Sequence, residues 1–247
     1  MNASAGSIDE RPVSDGRDEI ASRLASVRER IGGAARRAGR EPEDVVLVAV
    51  CKGVDPGLVA AAVSSGAMDL GENRAQELTA KMAALAAVSP GPRWHFVGSL
   101  QRNKVRAVTG RVALIHSVGS TALGRAIAAR AAGLKLVQDV LLEVNVSGET
   151  SKHGLSPAET QGVLEALSSE PALQVRGLMT IAPPAPPAEA RAAFRGLRDL
   201  RDRLRETSPG VSLDDLSMGM SSDFEEAIEE GSTIVRIGTA MFGARKR

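Results

Sequence analysis

A closed α/β barrel preceded by a helix is the fold this sequence predicts, and three observations predict it. Eight apolar segments, each separated from the next by a helical one, run along the chain, and strict β/α alternation implies a parallel sheet. The first of them, Val45 to Val50, is apolar without alternation, as a strand buried on both faces reads. The length of 247 residues, 43% of them hydrophobic, suits one such barrel, and no composition break or repeat divides it. The runner-up is an open doubly wound sheet. No Gly-x-Gly-x-x-Gly turn is present, which weakens a dinucleotide fold.

Residues 1–16 are rich in Ser, Gly and Asp and are expected to form a disordered tail, leaving 17–247 as a single domain. From Arg17 to about Gly39 the residues Ile20, Leu24, Val27 and Ile31 make one helical stripe. Strand 1 is 45–50, followed by a helix ending at Gly66. Met68 to Leu70 is strand 2, and its helix shows Leu78, Met82 and Leu85 on one face. Strand 3 is Trp94 to Gly98, with a short helix beyond Lys104. Strand 4 is Val112 to His116, and its helix carries Leu123 and Ile127 and stops at Gly133. Strand 5 is Asp139 to Val146, followed by a polar loop holding Lys152 and His153. Ser156, Pro157 and Glu159 then predict a capping box. Strand 6 is Leu173 to Ile181, leading into a stiff proline-rich loop over 182–187. A charged helix with Phe194, Leu197, Leu200 and Leu204 facing inward precedes strand 7, Leu213 to Met218. Strand 8 is Thr233 to Ile237.

Composition excludes several functions. A formal net charge of +1 provides no field to recruit nucleic acid or an acidic membrane. Aromatics are 2% with no Tyr, so base-stacking platforms are not expected and no tyrosine can act as acid or base. Three dispersed His and one Cys show no metal-ligand spacing. The lone Cys51 forms no intrachain disulfide, which fits a reducing cytosol. It reads as a small core residue, with thiolate chemistry beside Lys52 left open. No signal peptide or spanning segment is evident, so a cytoplasmic protein is expected.

In barrels the chemistry sits in the loops after the strands' carboxyl ends. Those ends hold Lys52 after strand 1, Asn73 after strand 2, Met220 and Ser221 after strand 7, and Arg236, Gly238 and Thr239 at strand 8. A lysine there has its stem in apolar packing, and partial desolvation disfavours its ammonium. Schiff-base lysines are made this way; the bland alternative is a solvated lysine past a strand end. Ser222 to Glu225 reads as a capping box opening a helix to Glu230, whose free N–H groups with the Ser221 hydroxyl could hold a phosphate. Arg236 interrupts an apolar strand and needs a partner, either a neighbouring carboxylate or a ligand in the barrel mouth. Amine, phosphate cradle and arginine together fit pyridoxal 5′-phosphate (PLP), with its aldehyde, phosphate and ring nitrogen. Arginine can only donate, so the ring nitrogen beside it would stay unprotonated, a weak electron sink.

These stretches resemble the pyridoxal phosphate homeostasis proteins, single-domain relatives of the alanine racemase N-terminal barrel. The resemblance covers roughly residues 17 to 244. It is carried by Leu-Val-Ala-Val-Cys-Lys (47–52), Gly-Glu-Asn (71–73) and Trp-His-Phe-Val-Gly-Ser-Leu-Gln-Arg-Asn-Lys (94–104). His-Ser-Val (116–118), Glu-Val-Asn-Val-Ser (143–147), Ser-Lys-His-Gly (151–154) and Arg-Gly-Leu-Met-Thr-Ile (176–181) follow. Leu-Ser-Met-Gly-Met-Ser-Ser-Asp (216–223) and Val-Arg-Ile-Gly-Thr-Ala-Met-Phe-Gly (235–243) complete it. The leading helix suits that family's modified TIM (β/α)8 barrel. The resemblance implies that Lys52 holds PLP as an internal aldimine and that Asn73 sits beside the ring. It also implies that Met220, Ser221, Gly238 and Thr239 surround the phosphate and that Arg236 faces the ring nitrogen. Cys51 stands where the family often has Ser, Gly53 where a larger residue is usual, and Arg74 where Tyr is frequent.

Two functions follow. One is a PLP carrier that acts in intracellular vitamin B6 homeostasis with little catalysis, apo PLP enzymes being its clients and a monomer the family's leaning. The other is a PLP-dependent amino acid racemase. Related racemases complete their site with a second domain and its tyrosine. This chain ends soon after strand 8, so that domain is expected to be missing, and a base would have to come from His95, His116 or His153. The carrier is favoured. A barrel enzyme acting on a phosphosugar would need Glu72 as its acid/base. Lys152 is a candidate second cationic site, against the plainer reading of a solvated loop lysine.

Overall fold

The computed structural model describes residues 14–88, 91–148, 153–183 and 186–244. Its eight strands are β1 Val46–Val50, β2 Asp69–Glu72, β3 Arg93–Phe96, β4 Leu114–Val118, β5 Gln138–Glu143, β6 Leu173–Met179, β7 Asp215–Ser217 and β8 Ile234–Ile237. They pair in sequence order, all parallel, and close into a barrel. The closing seam sets Val48 beside Arg236 and Ala49 beside Ile237. The open-sheet alternative is therefore excluded.

The helices are α1 Ser14–Arg37, α2 Pro56–Ser64, α3 Ala75–Ala84, α4 Val105–Val108, α5 Thr121–Gly133, α6 Pro157–Ser168, α7 Pro187–Thr207, α8 Phe224–Glu229 and α9 Thr239–Phe242. The apolar stripe of α1 is buried and packs against α2, α8 and α9. It begins at Ser14, earlier than expected; the rest of the expected tail, 1–13, lies outside the described residues, as does Lys152. The capping box of α6 forms as predicted, Ser156 and Glu159 exchanging bonds.

Three strands differ from expectation in ways that matter for the site. β2 continues through Glu72, so Gly71 and Glu72 belong to the sheet. β4 lies further along than 112–116, placing His116 inside it. β5 stops at Glu143, and Val144 only bridges to Leu155.

Alternation along the strands divides the core in two. Ala49, Leu70, Trp94, Phe96, Ile115, Val235 and Ile237 point outward under the helices. Val48, Val50, Leu114, Leu141, Met179 and Ile234 form a separate interior cluster. The interior also holds Asp69, His95, His116, Ser217 and Arg236, none more than 8% exposed.

Candidate functional site

The carboxyl ends of the strands surround a cavity of about 320 Å³. Lys52, Asn73, Met220, Arg236, Gly238 and Thr239 all line it, with Glu143, His153 and Gly98. Six of the seven residues singled out from the sequence thus converge. The seventh, Ser221, stands just behind: its Oγ accepts from Gly238 N–H at 3.3 Å and Ala240 N–H at 3.2 Å, joining the loops after β7 and β8.

The half-buried Lys52 continues the inward register of Val48 and Val50. Its backbone is fixed from outside the barrel. Lys81 of α3 donates to the carbonyl of Cys51 at 2.6 Å and pairs with Glu72. Glu77 accepts the Gly53 N–H at 2.8 Å. Burial opposes the Lys81 charge, but the bond to Glu72 and the nearby acidic groups raise its pKa overall. The Gly53 N–H above all, against burial, holds Glu77 below the usual carboxylate range. Gly53 has φ +68°, a conformation that favours glycine.

Glu72 is not an acid/base residue of the mouth. Because β2 extends through it, its side chain falls on the outer face, fully buried, bonded to Lys81 and to Asn73 N–H. Cys51 is equally withdrawn: burial, foremost, pushes its thiol up to about 12, and Sγ donates to Gly71 O at 3.4 Å. The same register turns Asn73 inward, where its Oδ1 is buried without a hydrogen-bond partner. Gly98 makes room for it, since a Cβ there would come 2.3 Å from Asn73 O. A buried acceptor left open in a cavity marks a place for a donor from a ligand.

Arg236 is 5% exposed. Nη1 donates to Ser217 Oγ at 2.7 Å and Nη2 to Thr180 O at 2.9 Å. Both partners are neutral oxygens, and neither is a carboxylate of a neighbouring strand, one of the two partners that the sequence left open. Burial brings its pKa down to about 10, with Asp223 and Glu143 opposing, so it remains a charged donor at neutral pH. Glu143, beside it, has its carboxyl pKa raised by burial.

The expected capping box at Ser222 does not form. Asp223 is the N-cap of α8 and its carboxylate accepts Met220 N–H at 2.6 Å. Asp223 N–H and Phe224 N–H both bond Met220 O, a tight turn that leaves Ser222 exposed. The loops after β7 and β8 are therefore tied by Ser221, and no open helix start faces the cavity there. His95 and His116 do not reach the mouth; they bond each other at 3.0 Å inside the barrel. Of the three histidines only His153 lines the cavity.

Sequence reading missed Lys81 and Glu143. Lys81 sits at i+3 from Leu78, on the apolar stripe itself, and at i+4 from Glu77, spacings that mark a buried partner of an acid. Glu143 ends a strand, as Lys52 follows one.

The family model "Alanine racemase, N-terminal domain" matches residues 22–246. The pyridoxal phosphate homeostasis protein of Aquifex aeolicus is 46% identical over 225 residues, 91% of this chain and 97% of that protein. That of Pseudomonas aeruginosa is 44% identical over 227 residues, covering 92% and 96%. The structure of PipY from Synechococcus elongatus with PLP bound superposes with a TM-score of 0.81 at 37% identity, over 91% of this chain and all of that one. By fold and by sequence along nearly its whole described length, the chain belongs to the alanine racemase N-terminal domain family and, within it, to the pyridoxal phosphate homeostasis proteins.

Proposed function

We propose that this protein binds PLP in the barrel mouth, attached through Lys52, and serves PLP homeostasis as a carrier. One observation carries the reading: Lys52, the open acceptor of Asn73 and the donor Arg236 line a single cavity. The cofactor supplies an aldehyde that condenses with amines and a ring that stores electrons when its nitrogen is protonated. Lys52 provides the amine. Asn73 offers a side-chain acceptor to the ring's edge. Arg236, charged and donor-only, keeps the ring nitrogen an acceptor, which disfavours carbanion chemistry. Ser221, Gly238 and Thr239 with Met220 bound the phosphate end. The Ser221 bonds to Gly238 and Ala240 are long, so its hydroxyl and those amides can turn to a phosphate at small cost.

Cytoplasmic residence, a monomeric state, 17–247 as one PLP-binding domain and apo PLP enzymes as clients belong to the same proposal. Among the described residues no helix is long and apolar enough to cross a membrane. An enzymatic reading draws on Glu143 and His153, which place a carboxyl and an imidazole in the same cavity. Racemisation of alanine at enzyme-like rates, lost in Lys52→Ala, would favour it over the carrier.

The test is borohydride reduction of the PLP-loaded protein followed by mass mapping. One pyridoxyl group on Lys52, absent from a folded Lys52→Ala variant, is the expected result. Label scattered over surface lysines would overturn the reading.

A further inference from the structure

The barrel interior holds a chain of hydrogen bonds running from the mouth to the opposite end. Arg236 Nη1 donates to Ser217 Oγ at 2.7 Å. Ser217 Oγ lies 2.8 Å from His116 Nδ1, and His116 Nε2 lies 3.0 Å from His95 Nδ1. His95 Nε2 lies 3.0 Å from Asp69 Oδ1, and Asp69 Oδ2 accepts from Arg93 at 2.7 Å. Asp69 and Arg93 also line a second cavity of about 520 Å³, with Arg28, at the strands' amino ends. The links Asp69, His95, His116, Ser217 and Arg236 come from β2, β3, β4, β7 and β8. Barrel interiors are ordinarily filled by branched apolar side chains. Buried polar groups cost stability unless bonded, so a complete chain of this length reads as a built feature.

The ends fix its direction. Arg236 can only donate. The Asp69 carboxyl is held below its usual range, against burial, by bonds from His95 and Arg93, so it is ionised and only accepts. Burial, foremost, with His95 and Arg236 nearby, keeps His116 far below its usual pKa, so its ring carries one proton. For a His95 ring that holds a single proton, the geometry leaves one arrangement that satisfies every link. Ser217 O–H donates to His116 Nδ1, His116 Nε2–H to His95 Nδ1, and His95 Nε2–H to Asp69.

We infer that this one-way relay positions Arg236: Ser217, His116, His95 and Asp69 hold its guanidinium at the mouth with the remaining N–H groups aimed at the ligand. A further proton on the histidine pair would reverse the middle of the chain, making His116 Nδ1–H the donor to Ser217 and displacing the serine proton. The state of the far end thereby reaches the group that meets the ligand. The effect on bound PLP rests on the reading above; the relay itself does not.

The test has two arms. Nitrogen-15 spectra of the imidazole rings of ligand-free protein, assigned through single His→Gln variants, read the tautomers directly. Protons on Nε2 of both His95 and His116 near neutral pH are expected. A proton on His116 Nδ1, or rings averaging between tautomers, would overturn the relay. In the second arm Ser217→Ala is loaded with PLP. It should still label at Lys52 but hold PLP roughly tenfold more weakly, the loss of one bond to a charged group, with a displaced visible absorption band. Ser217→Thr, which keeps the hydroxyl, should restore both. Unchanged retention and spectrum in Ser217→Ala would refute positioning. Wild-type protein that takes no PLP on Lys52 would instead sink the PLP reading, and the tautomers alone would then decide the relay.

Discussion

The two walls of the mouth are held by different physics. Lys52 is fixed from outside the barrel by a charged brace, Lys81 with Glu72 and Glu77, acting on the backbone at Cys51 and Gly53. Arg236 is fixed from inside by a chain of single hydrogen bonds that acts on its side chain through Ser217 and ends at the ionised Asp69. A buried ion pair is unforgiving, because removing one partner strands the other's charge in a dry site. A chain of single hydrogen bonds loses one link at a time. Damage to the brace should therefore appear first as lost stability. Damage to the relay should appear first as altered ligand behaviour.

Lys81→Met breaks the comparison most severely. It leaves Glu72, fully buried, with its charge unpaired. The expected cost is about 3–5 kcal/mol, read as a lower urea midpoint. Adding Glu72→Gln to Lys81→Met should recover most of that loss, because the stranded charge is gone. A single variant as stable as wild type would show that the brace holds nothing.

At the far end of the relay, acid provides a graded probe. Bonds from His95 and Arg93 hold the Asp69 carboxyl below its usual range although burial opposes them. A depressed carboxyl pKa gives stability that is complete above the unfolded value, about 3.9, and lost as pH falls through the folded one. Asp69→Asn should cost about 1.5–3 kcal/mol at neutral pH through the His95 bond. The exposed Arg93 adds little. The gap between wild type and variant should close as pH falls below about 4, measured by urea unfolding. A gap independent of pH would show that Asp69 does not bear the charge at that end.

How much was legible follows the same division. The barrel, its leading helix and the strand-end residues were readable because parallel strands buried on both faces are apolar runs and barrel sites gather at one end. Lys52 and Arg236 stood out as charges at the edge of such runs. The relay was not readable as a unit. Its links are scattered from Asp69 to Arg236, and their union depends on which face each strand turns inward. His116 illustrates this: an offset in the expected span of β4 set it at a strand end when it is a central link. Glu72 illustrates the converse, since ending β2 at Leu70 made a sealed outward carboxylate look like a catalytic one. Lys81 was legible in principle, as a cation on an apolar stripe four residues after Glu77. The loop after β7 defeated local rules because Asp223 spends its carboxylate on Met220 instead of opening α8 to a ligand.

Ser221→Ala is the smallest perturbation and the sharpest test of the phosphate end. The serine ties the β7 and β8 loops through two long bonds, to Gly238 and Ala240. Neutral bonds of this kind contribute about 0.5–1.5 kcal/mol each, and two long ones fall at the low end, so global stability should fall by about 1 kcal/mol. The Gly238 and Ala240 amides should nevertheless exchange with solvent faster in the ligand-free variant, because local opening there no longer breaks a bond. If the hydroxyl also turns to a phosphate, PLP should leave the variant faster while inorganic phosphate competes less well for the site. Pyridoxal without its phosphate should bind wild type and variant alike. Equal losses for pyridoxal and PLP would place the serine's effect on the whole mouth, erasing the distinction between a phosphate cradle and a strut between two loops.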